Sequence, residues 1–176
     1  MSKRAFTLVE LLVVISIISL LSSVILSSLQ QARIKARNTS RNQQVMEYAK
    51  ALALFKANAV NDAFPLSDGG SYVCLGGAAG YTCGDSDNPA SYSSNVAGNL
   101  QNFMRSYPPI GSGFVAEYWI GALYYSLGDI ALIEYVLDGN KTPCVRPPNT
   151  KQLNQGVYVN PMGGATQSFR CSLLLD

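Results

Sequence analysis

An uninterrupted apolar stretch near the start of the chain constrains its fold more than any other feature. Residues 6–29 (FTLVELLVVISIISLLSSVILSSL) contain a single charged side chain, Glu10. As a helix this stretch would be about 36 Å long, which is enough to cross a bilayer. A carboxylate inside it costs roughly 2.5–3.5 kcal/mol near the bilayer centre and less towards the edge. We therefore expect Glu10 to have a function and a partner.

A short basic segment precedes the apolar stretch. Residues 1–5 (MSKRA) contain two basic side chains and end in the small residue Ala5. A secretory signal peptide has its cleavage site after the apolar segment, where this chain offers only the small pair Ser27 and Ser28. The order of basic residues, a small residue, Phe-Thr-Leu-Val-Glu and an apolar helix instead resembles the prepilin signal of the type IV pilin and pseudopilin family.

The resemblance implies a processing site and a role for Glu10. In the family, a membrane-bound aspartyl peptidase cuts directly before the phenylalanine and methylates the new amine. In this chain the cut would lie between Ala5 and Phe6, with alanine where the family usually has glycine. Glu10 would pair with the new amine of Phe6, on its own or a neighbouring copy, and guide assembly. The alternative is a carboxylate that only stabilises the helix start through the helix dipole.

The same resemblance implies a non-enzymatic structural subunit of a type IV pilus-like extracellular filament, used for adhesion, twitching motility or DNA uptake. Its partners would be further copies in a helical filament, a prepilin peptidase, an inner-membrane assembly platform with its ATPase, and minor pilins. Contact with nucleic acid stays open. Before assembly the subunit would cross the cytoplasmic membrane once, with its N-terminus in the cytoplasm. The alternatives are a pseudopilin of a type II secretion system and a membrane-anchored binding domain that does not polymerise.

Basic residues also follow the apolar stretch, at Arg33, Lys35, Arg37 and Arg41. By the positive-inside rule, these residues favour the C-terminal end of the span as the cytoplasmic one. This is opposite to the orientation in the family, so the predicted orientation depends on the resemblance alone. Arg33, Arg37 and Arg41 recur every four residues and share one helix face. Contact with nucleic acid or lipid headgroups is one interpretation of that face, and a solvated or subunit-contacting surface is the favoured one.

The composition excludes the simplest enzyme chemistry. The chain has 176 residues, 13 basic against 11 acidic side chains, and no histidine. It therefore lacks the commonest general base, the usual metal ligand and any Ser-His or Cys-His nucleophile. The near balance of charge favours close packing of subunits over electrostatic steering towards nucleic acid. We expect no enzyme activity from this chain.

Four cysteines, Cys74, Cys83, Cys144 and Cys171, all follow the apolar stretch. An even number beyond a membrane segment predicts disulfides in an oxidising compartment. Four cysteines allow three pairings, and the sequence does not choose among them. We favour Cys74 with Cys83 and Cys144 with Cys171, because each pair brackets a local loop. A zinc site is the alternative, but the spacings match no zinc pattern.

A weak calcium site is the one cofactor that the sequence suggests. Asp85, Asp87 and Asn88 place oxygen ligands close together, and some secretion pseudopilins carry a calcium site. The full loop pattern, with its glycine and distant glutamate, is missing. An Asx turn before Pro89 is the favoured interpretation, and otherwise we expect no cofactor.

The sequence divides into a leader (residues 1–5), a transmembrane or filament-core helix (6–30) and a globular domain (31–176). Neither glycine nor proline occurs from residue 30 to residue 61, so the helix should continue to about residue 60. Its second half carries an apolar stripe that should lie on a core. The stripe consists of Val45, Tyr48, Ala49, Leu52, Phe55 and Ala59.

The predicted fold class is α+β and pilin-like, with a protruding apolar half-helix and an amphipathic half packed on a small antiparallel sheet. Residues 66–99 read as irregular, residues 96–106 as a short helix and residues 142–151 as a proline-rich loop. Strands are predicted over 114–127, 130–137, 157–159 and 168–173. The strand aromatics favour core and cross-strand pairs over a sugar- or surface-binding patch. They are Tyr118, Trp119, Tyr124, Tyr125 and Tyr135.

Overall fold

The computed structural model describes residues 7–76, 82–84, 89–104, 121–139, 143–148, 150–158 and 168–176. They form helices α1 (Leu8–Asn58) and α2 (Ser94–Gln101). They also form strands β1 (Val73–Leu75), β2 (Thr82–Gly84), β3 (Pro89–Tyr92), β4 (Ala122–Ser126), β5 (Ala131–Asp138), β6 (Thr150–Tyr158) and β7 (Ser168–Leu175). The chain divides into two compact units, Met1–Arg37 and Asn38–Asp176.

The first unit contains the N-terminal part of α1. Every residue from 7 to 33 is exposed, and its large apolar side chains are 44–84% exposed. The hydroxyls of Ser16, Ser19 and Ser23 each donate to a backbone carbonyl three or four residues earlier, at 2.8 Å. These polar groups are satisfied within the helix, as an apolar environment requires.

In the second unit, α1 packs on the sheet through the predicted apolar stripe. Val45, Tyr48 and Leu52 are 2%, 3% and 0% exposed, because positions three and four apart share one helix face. Phe55 and Ala59 are half-buried at the end of the stripe. The prediction of a long helix whose second half covers a core is confirmed.

The sheet has the strand order β2-β3-β1-β4-β5-β7-β6. Neighbouring strands are antiparallel except β1 and β3, which are parallel. The α+β class is confirmed, but the sheet is larger than predicted and not purely antiparallel. The reason is local: β2 intervenes in sequence, and β3 returns between β2 and β1 in the same direction as β1.

Both faces of the sheet bury apolar side chains, which explains the apolar sequence of β5. Ile133, Tyr135 and Leu137 join the core beneath α1, and each is 0% exposed. Val136 points the other way, as alternation along a strand requires. It belongs to a second buried cluster with Cys74, Cys83, Ala90 and Leu123.

The structure corrects two predictions between residues 66 and 104. The segment 66–99 is not wholly irregular, because it contains β1, β2 and β3. These strands have three or four residues each, too few for alternation to be recognised in sequence. The short helix begins earlier than the predicted residue 96, because Ser93 is its N-cap and accepts from the Val96 N–H at 3.1 Å.

The structure also corrects the predictions for the C-terminal strands. Residues 157 and 158 of the strand predicted over 157–159 form the end of the nine-residue β6, and residue 159 lies outside the described residues. Thr150 and Lys151 belong to β6 and not to the proline-rich loop. Polar residues dominate β6, so no apolar alternation indicates it in the sequence. Among the described strands, β6 lies at the edge of the sheet beside β7. Of the strand predicted over 114–127, residues 114–120 lie outside the described residues.

The aromatic side chains divide between core and surface. Tyr124 and Tyr135 are 0% exposed, as the core interpretation predicts. Tyr125 instead packs against Tyr72, with ring centroids 5.3 Å apart. Tyr118 and Trp119 lie outside the described residues.

Candidate functional site

Thr7 and Glu10 close the start of α1 by reciprocal hydrogen bonds. The Glu10 N–H donates to Thr7 Oγ1 at 3.3 Å, and the Thr7 N–H donates to Glu10 Oε2 at 2.9 Å. The Thr7 hydroxyl donates to the same carboxylate oxygen at 2.8 Å. Since α1 begins at Leu8, Thr7 is its N-cap and Glu10 its third residue. This arrangement is a capping box, which satisfies donors that a helix start otherwise leaves unpaired.

Capping uses only one oxygen of the Glu10 carboxylate. Both Thr7 donors reach Oε2, and within the described part of the chain Oε1 receives no hydrogen bond. An ionised carboxylate has about four acceptor positions, so the capped side chain can still bind a cation. Ala5 and Phe6, the predicted cleavage residues, lie outside the described residues. Pairing of Glu10 with the Phe6 amine therefore stays a prediction.

The sequence contains the signal for this capping box. A threonine followed three residues later by a glutamate, directly before an apolar run, is the usual signature. The sequence-based alternative, in which the helix dipole stabilises Glu10, does not include Thr7. In the structure Thr7 is the hydrogen-bond partner of Glu10, so Glu10 has a capping role that does not depend on pairing of its charge with another copy.

Residues 8–29, called the apolar segment below, follow the capping box. Among the described residues, α1 is the helix long and apolar enough to cross a membrane. Its best 18-residue window has a mean hydropathy of 2.6 and is 0% buried. Length and composition alone support this property. The apolar segment has no partner among the described residues and needs an apolar environment from elsewhere.

A buried polar cluster ties α1 to the end of β5. Asn38 Nδ2 donates to the Asp138 carbonyl at 2.8 Å, and the Asp138 N–H donates to Asn38 Oδ1 at 2.9 Å. Arg41 Nη1 forms an ion pair with Asp138 Oδ1 at 2.9 Å. Arg41 is only 7% exposed, whereas Arg33 and Arg37 are exposed. The predicted solvated face therefore does not include Arg41, because it faces the strand end.

A second polar link holds the loop before β6 against α1. The Tyr135 hydroxyl donates to Asn42 Oδ1 at 3.0 Å and accepts from the Val145 N–H at 2.9 Å. Asn42 Nδ2 donates to the Pro143 carbonyl at 3.3 Å. Burial raises the pKa of Tyr135 to about 12, against an opposing effect of the Val145 N–H. The hydroxyl therefore stays protonated at neutral pH and works as a structural bridge.

Two disulfides stabilise the second unit. One joins Cys74 to Cys83 with a Cα–Cα distance of 5.7 Å, and the other joins Cys144 to Cys171 at 5.8 Å. This is the pairing that the local-loop argument favours. The second disulfide joins the loop that contains Val145 to strand β7. The same loop is held by the hydrogen bond from the Val145 N–H to the Tyr135 hydroxyl.

A buried carboxylate lies on the sheet face opposite α1. Glu134 is 6% exposed and accepts from Ser172 Oγ at 3.0 Å and from Arg170 Nη2. Burial chiefly raises the pKa of the nearby Tyr72 hydroxyl, and the negative charge of Glu134 adds to the rise. Each carboxylate oxygen of Glu134 has a donor, so this group acts as a structural anchor.

An open groove of about 610 Å³ lies between the second half of α1 and the end of β7. Small side chains of α1, including Ala49, Ala53 and Ala57, form part of its wall, and Lys50 and Asp62 also line it. Among the described residues that line the groove there is no serine, threonine or cysteine.

The weak calcium site stays untested by geometry. Asp85, Asp87 and Asn88 lie outside the described residues. Among the residues that are described, no group of three or more histidine, cysteine, aspartate or glutamate side chains can hold a metal ion.

Comparison with known proteins identifies the N-terminal segment. The family described as "Prokaryotic N-terminal methylation motif" matches residues 1–26. This motif is the prepilin signal of type IV pilins and pseudopilins, so the resemblance stated from the sequence is confirmed there. No curated protein and no solved structure matches the chain.

Proposed function

We propose that this chain is a structural subunit of a type IV pilus-like extracellular filament. The methylation motif supports a type IV pilin-like or pseudopilin subunit and points to a structural role. It also implies cleavage by a prepilin peptidase and assembly into pilus-like filaments. The observation that supports a subunit assembling through its N-terminal helix is the wholly exposed apolar segment behind the motif. Within that class we propose a surface pilus, used in adhesion, twitching motility or DNA uptake.

The apolar segment has two stable environments. One is a bilayer, in which a helix satisfies its own backbone groups, and the other is a bundle of identical helices. The subunit first crosses the cytoplasmic membrane with its N-terminus in the cytoplasm. It then leaves the membrane as its helix packs among those of other copies. Head-to-tail contacts that do not close into a ring generate an open helical filament.

Glu10 supplies the specificity of this transfer. Cleavage before Phe6 creates a cationic amine in an apolar environment, where an unpaired charge is costly. Within the described part of the chain Oε1 accepts no hydrogen bond, so this oxygen suits a cation from a neighbouring copy while Oε2 keeps the helix capped. A buried ion pair adds little net stability, but its loss leaves an uncompensated charge, so the pair selects one register.

The rest of the chain suits a filament surface outside the cytoplasm. Removal of residues 1–5 takes away two of the 13 basic side chains and leaves 11 against 11 acidic ones. Subunits without net charge pack side by side with little mutual repulsion. The disulfides Cys74–Cys83 and Cys144–Cys171 suit an oxidising compartment.

The experiment is shearing of surface filaments from cells that produce the chain. We expect electron microscopy with an antibody against residues 38–176 to label filaments along their length. Cells lacking the gene should show no labelled filaments, and cells producing Ala5→Trp should retain the uncut chain in the membrane fraction. The tryptophan variant is the matched control, because it leaves residues 6–176 unchanged.

The same experiment separates the alternatives. If cells that produce the chain show no labelled surface filaments, and cells lacking the gene lose protein secretion, the chain would instead be a type II secretion pseudopilin. A chain that works normally while it stays monomeric in the membrane would contradict filament assembly altogether.

A further inference from the structure

Arg33 and Arg37 lie on one face of α1 directly beyond the apolar segment. The same face carries Leu26 and Leu29. All four side chains are exposed, and the two arginines are one helical turn apart, about 6 Å along the axis. This face therefore changes from aliphatic to cationic within about two turns.

The position along α1 places these arginines at the depth of lipid headgroups when the apolar segment crosses a bilayer. A hydrocarbon core of about 30 Å takes up about 20 helical residues, from Leu8 to about Ser28. Arg33 follows about 7–8 Å later, in the headgroup layer. Arg37 lies one turn further, but side chains on a helix tilt towards its N-terminus, so its long side chain leads back to the bilayer.

The basic residues on this side oppose the orientation that the proposed function requires. The leader cations Lys3 and Arg4 are removed by the predicted cleavage, whereas Arg33, Lys35 and Arg37 remain next to the span. Cations at this position weaken the signal that directs the N-terminus to the cytoplasm. The same cations interact favourably with a leaflet that contains anionic phosphate groups, which stabilises the inserted chain.

We propose that Arg33 and Arg37 bind the phosphate of an anionic phospholipid, of the phosphatidylglycerol type, in the leaflet facing away from the leader. Guanidinium groups donate parallel N–H bonds to phosphate oxygens, and two groups one turn apart surround one headgroup. Leu26 and Leu29 contact the acyl chains beneath it. This inference rests on the membrane stage of the proposed function and is independent of filament assembly.

The aliphatic half of the face favours a lipid over a nucleic acid. Leu26 and Leu29 are 66% and 44% exposed. A nucleic acid bound at Arg33 and Arg37 would leave both leucines in water, because its phosphates lie on a polar backbone. A phospholipid covers both halves, since its phosphate and its acyl chains are joined in one molecule.

The test is a lipid-selectivity measurement on the full chain. The protein is reconstituted in nanodiscs of equal parts phosphatidylcholine and phosphatidylglycerol, and spin-labelled versions of each lipid report their relative association. The test variant is Arg33→Gln/Arg37→Gln. The matched control is Lys50→Gln/Arg146→Gln, which removes the same charge from exposed positions in the second unit.

We expect the original chain and the control to prefer phosphatidylglycerol, and the test variant to lose roughly fivefold in preference for each arginine removed. Equal association of both lipids with the original chain would overturn the proposal, as would a preference that survives in the test variant. Binding of free inorganic phosphate that the test variant loses, together with equal association of both lipids, would overturn the lipid assignment in favour of a simple anion site. Weaker DNA binding of the variant with unchanged lipid preference would overturn it in favour of nucleic acid.

A second measurement separates this inference from the proposed function. Insertion of the chain into nanodiscs of phosphatidylcholine alone tests the membrane stage without any anionic lipid. Stable helical insertion there, combined with no lipid preference in mixed nanodiscs, overturns the arginine site and leaves the proposed function intact. Failure to insert into any bilayer overturns both.

Discussion

Glu10 combines two properties that substitutions can separate, a hydrogen-bond acceptor at the helix start and a negative charge. Glutamine at this position keeps an acceptor for the Thr7 N–H, since capping boxes use glutamate or glutamine. Valine at position 7 removes the hydroxyl and keeps the charge of Glu10. The two variants therefore isolate the charge from the cap.

We predict that Glu10→Gln is cleaved normally but gives at least tenfold fewer filaments, because a neighbouring amine loses its counter-ion in an apolar environment. Thr7→Val should keep filaments, with the helix start weakened by about 1 kcal/mol. Counting sheared filaments and measuring processed chain in membranes provide the readouts. Normal filaments from Glu10→Gln, with loss in Thr7→Val, would show that Glu10 acts only as a cap.

Tyr135 bridges α1 and the loop at Val145 through one hydroxyl. Tyr135→Phe keeps the buried ring and leaves Asn42 Oδ1 and the Val145 N–H without that partner. We expect a loss of about 1–3 kcal/mol in unfolding free energy, measured by denaturant unfolding in detergent. A change below about 0.5 kcal/mol would contradict the bridging role.

The raised pKa of Tyr135, about 12, also predicts an alkaline dependence of stability. The unfolded phenol loses its proton near pH 10, so the folded state loses stability as the pH rises from about 10 towards 12. Below pH 10 this contribution is fully present. Tyr135→Phe should show a shallower loss than the original chain over this range, although Tyr124, whose pKa burial also raises, keeps part of it.

At the scale of elements, the attachment of α1 to β5 depends on Arg41 and Asp138. We predict that Arg41→Met lowers the unfolding free energy by about 3–5 kcal/mol, because the buried Asp138 Oδ1 loses the guanidinium that forms an ion pair with it. Arg33→Met is the matched control. Its arginine lies two turns earlier and is exposed, so a change within about 0.5 kcal/mol is expected. Equal effects of both substitutions in denaturant unfolding would contradict the attachment.

The sequence predicts the elements that have a long, regular pattern. The stripe through Val45, Tyr48 and Leu52 identifies the face of α1 that covers the core. The apolar run 130–137 predicts β5, because a strand buried on both faces is apolar nearly throughout. The same spacing argument fails for Arg41, since a four-residue repeat does not distinguish a solvated face from one that meets a strand end.

The arrangement of the sheet could not be predicted, because it depends on contacts distant in sequence. β1 pairs with β4, more than forty residues away, and nothing in the local sequence of Val73–Leu75 specifies that partner. The parallel pairing of β1 and β3 is more local, since only β2 lies between them in sequence, but strands of three and four residues are too short to indicate it. The capping box at Thr7 and Glu10 differs, since its signal is local and present in the sequence.

At the scale of the whole molecule, the two units have opposite requirements for their surroundings. The unit Met1–Arg37 carries exposed apolar side chains over residues 8–29, whereas the unit Asn38–Asp176 has a buried core beneath α1 and two disulfides. This combination is expected of a subunit whose first unit leaves the lipid and packs against other copies after the leader is removed.

The most direct test of that claim is the intact mass of the chain recovered from sheared surface filaments. We expect a chain that begins at Phe6 and is heavier by one methyl group, with both disulfides formed. A chain that still carries residues 1–5 in assembled filaments, or a processed chain found only as a monomer, would contradict it.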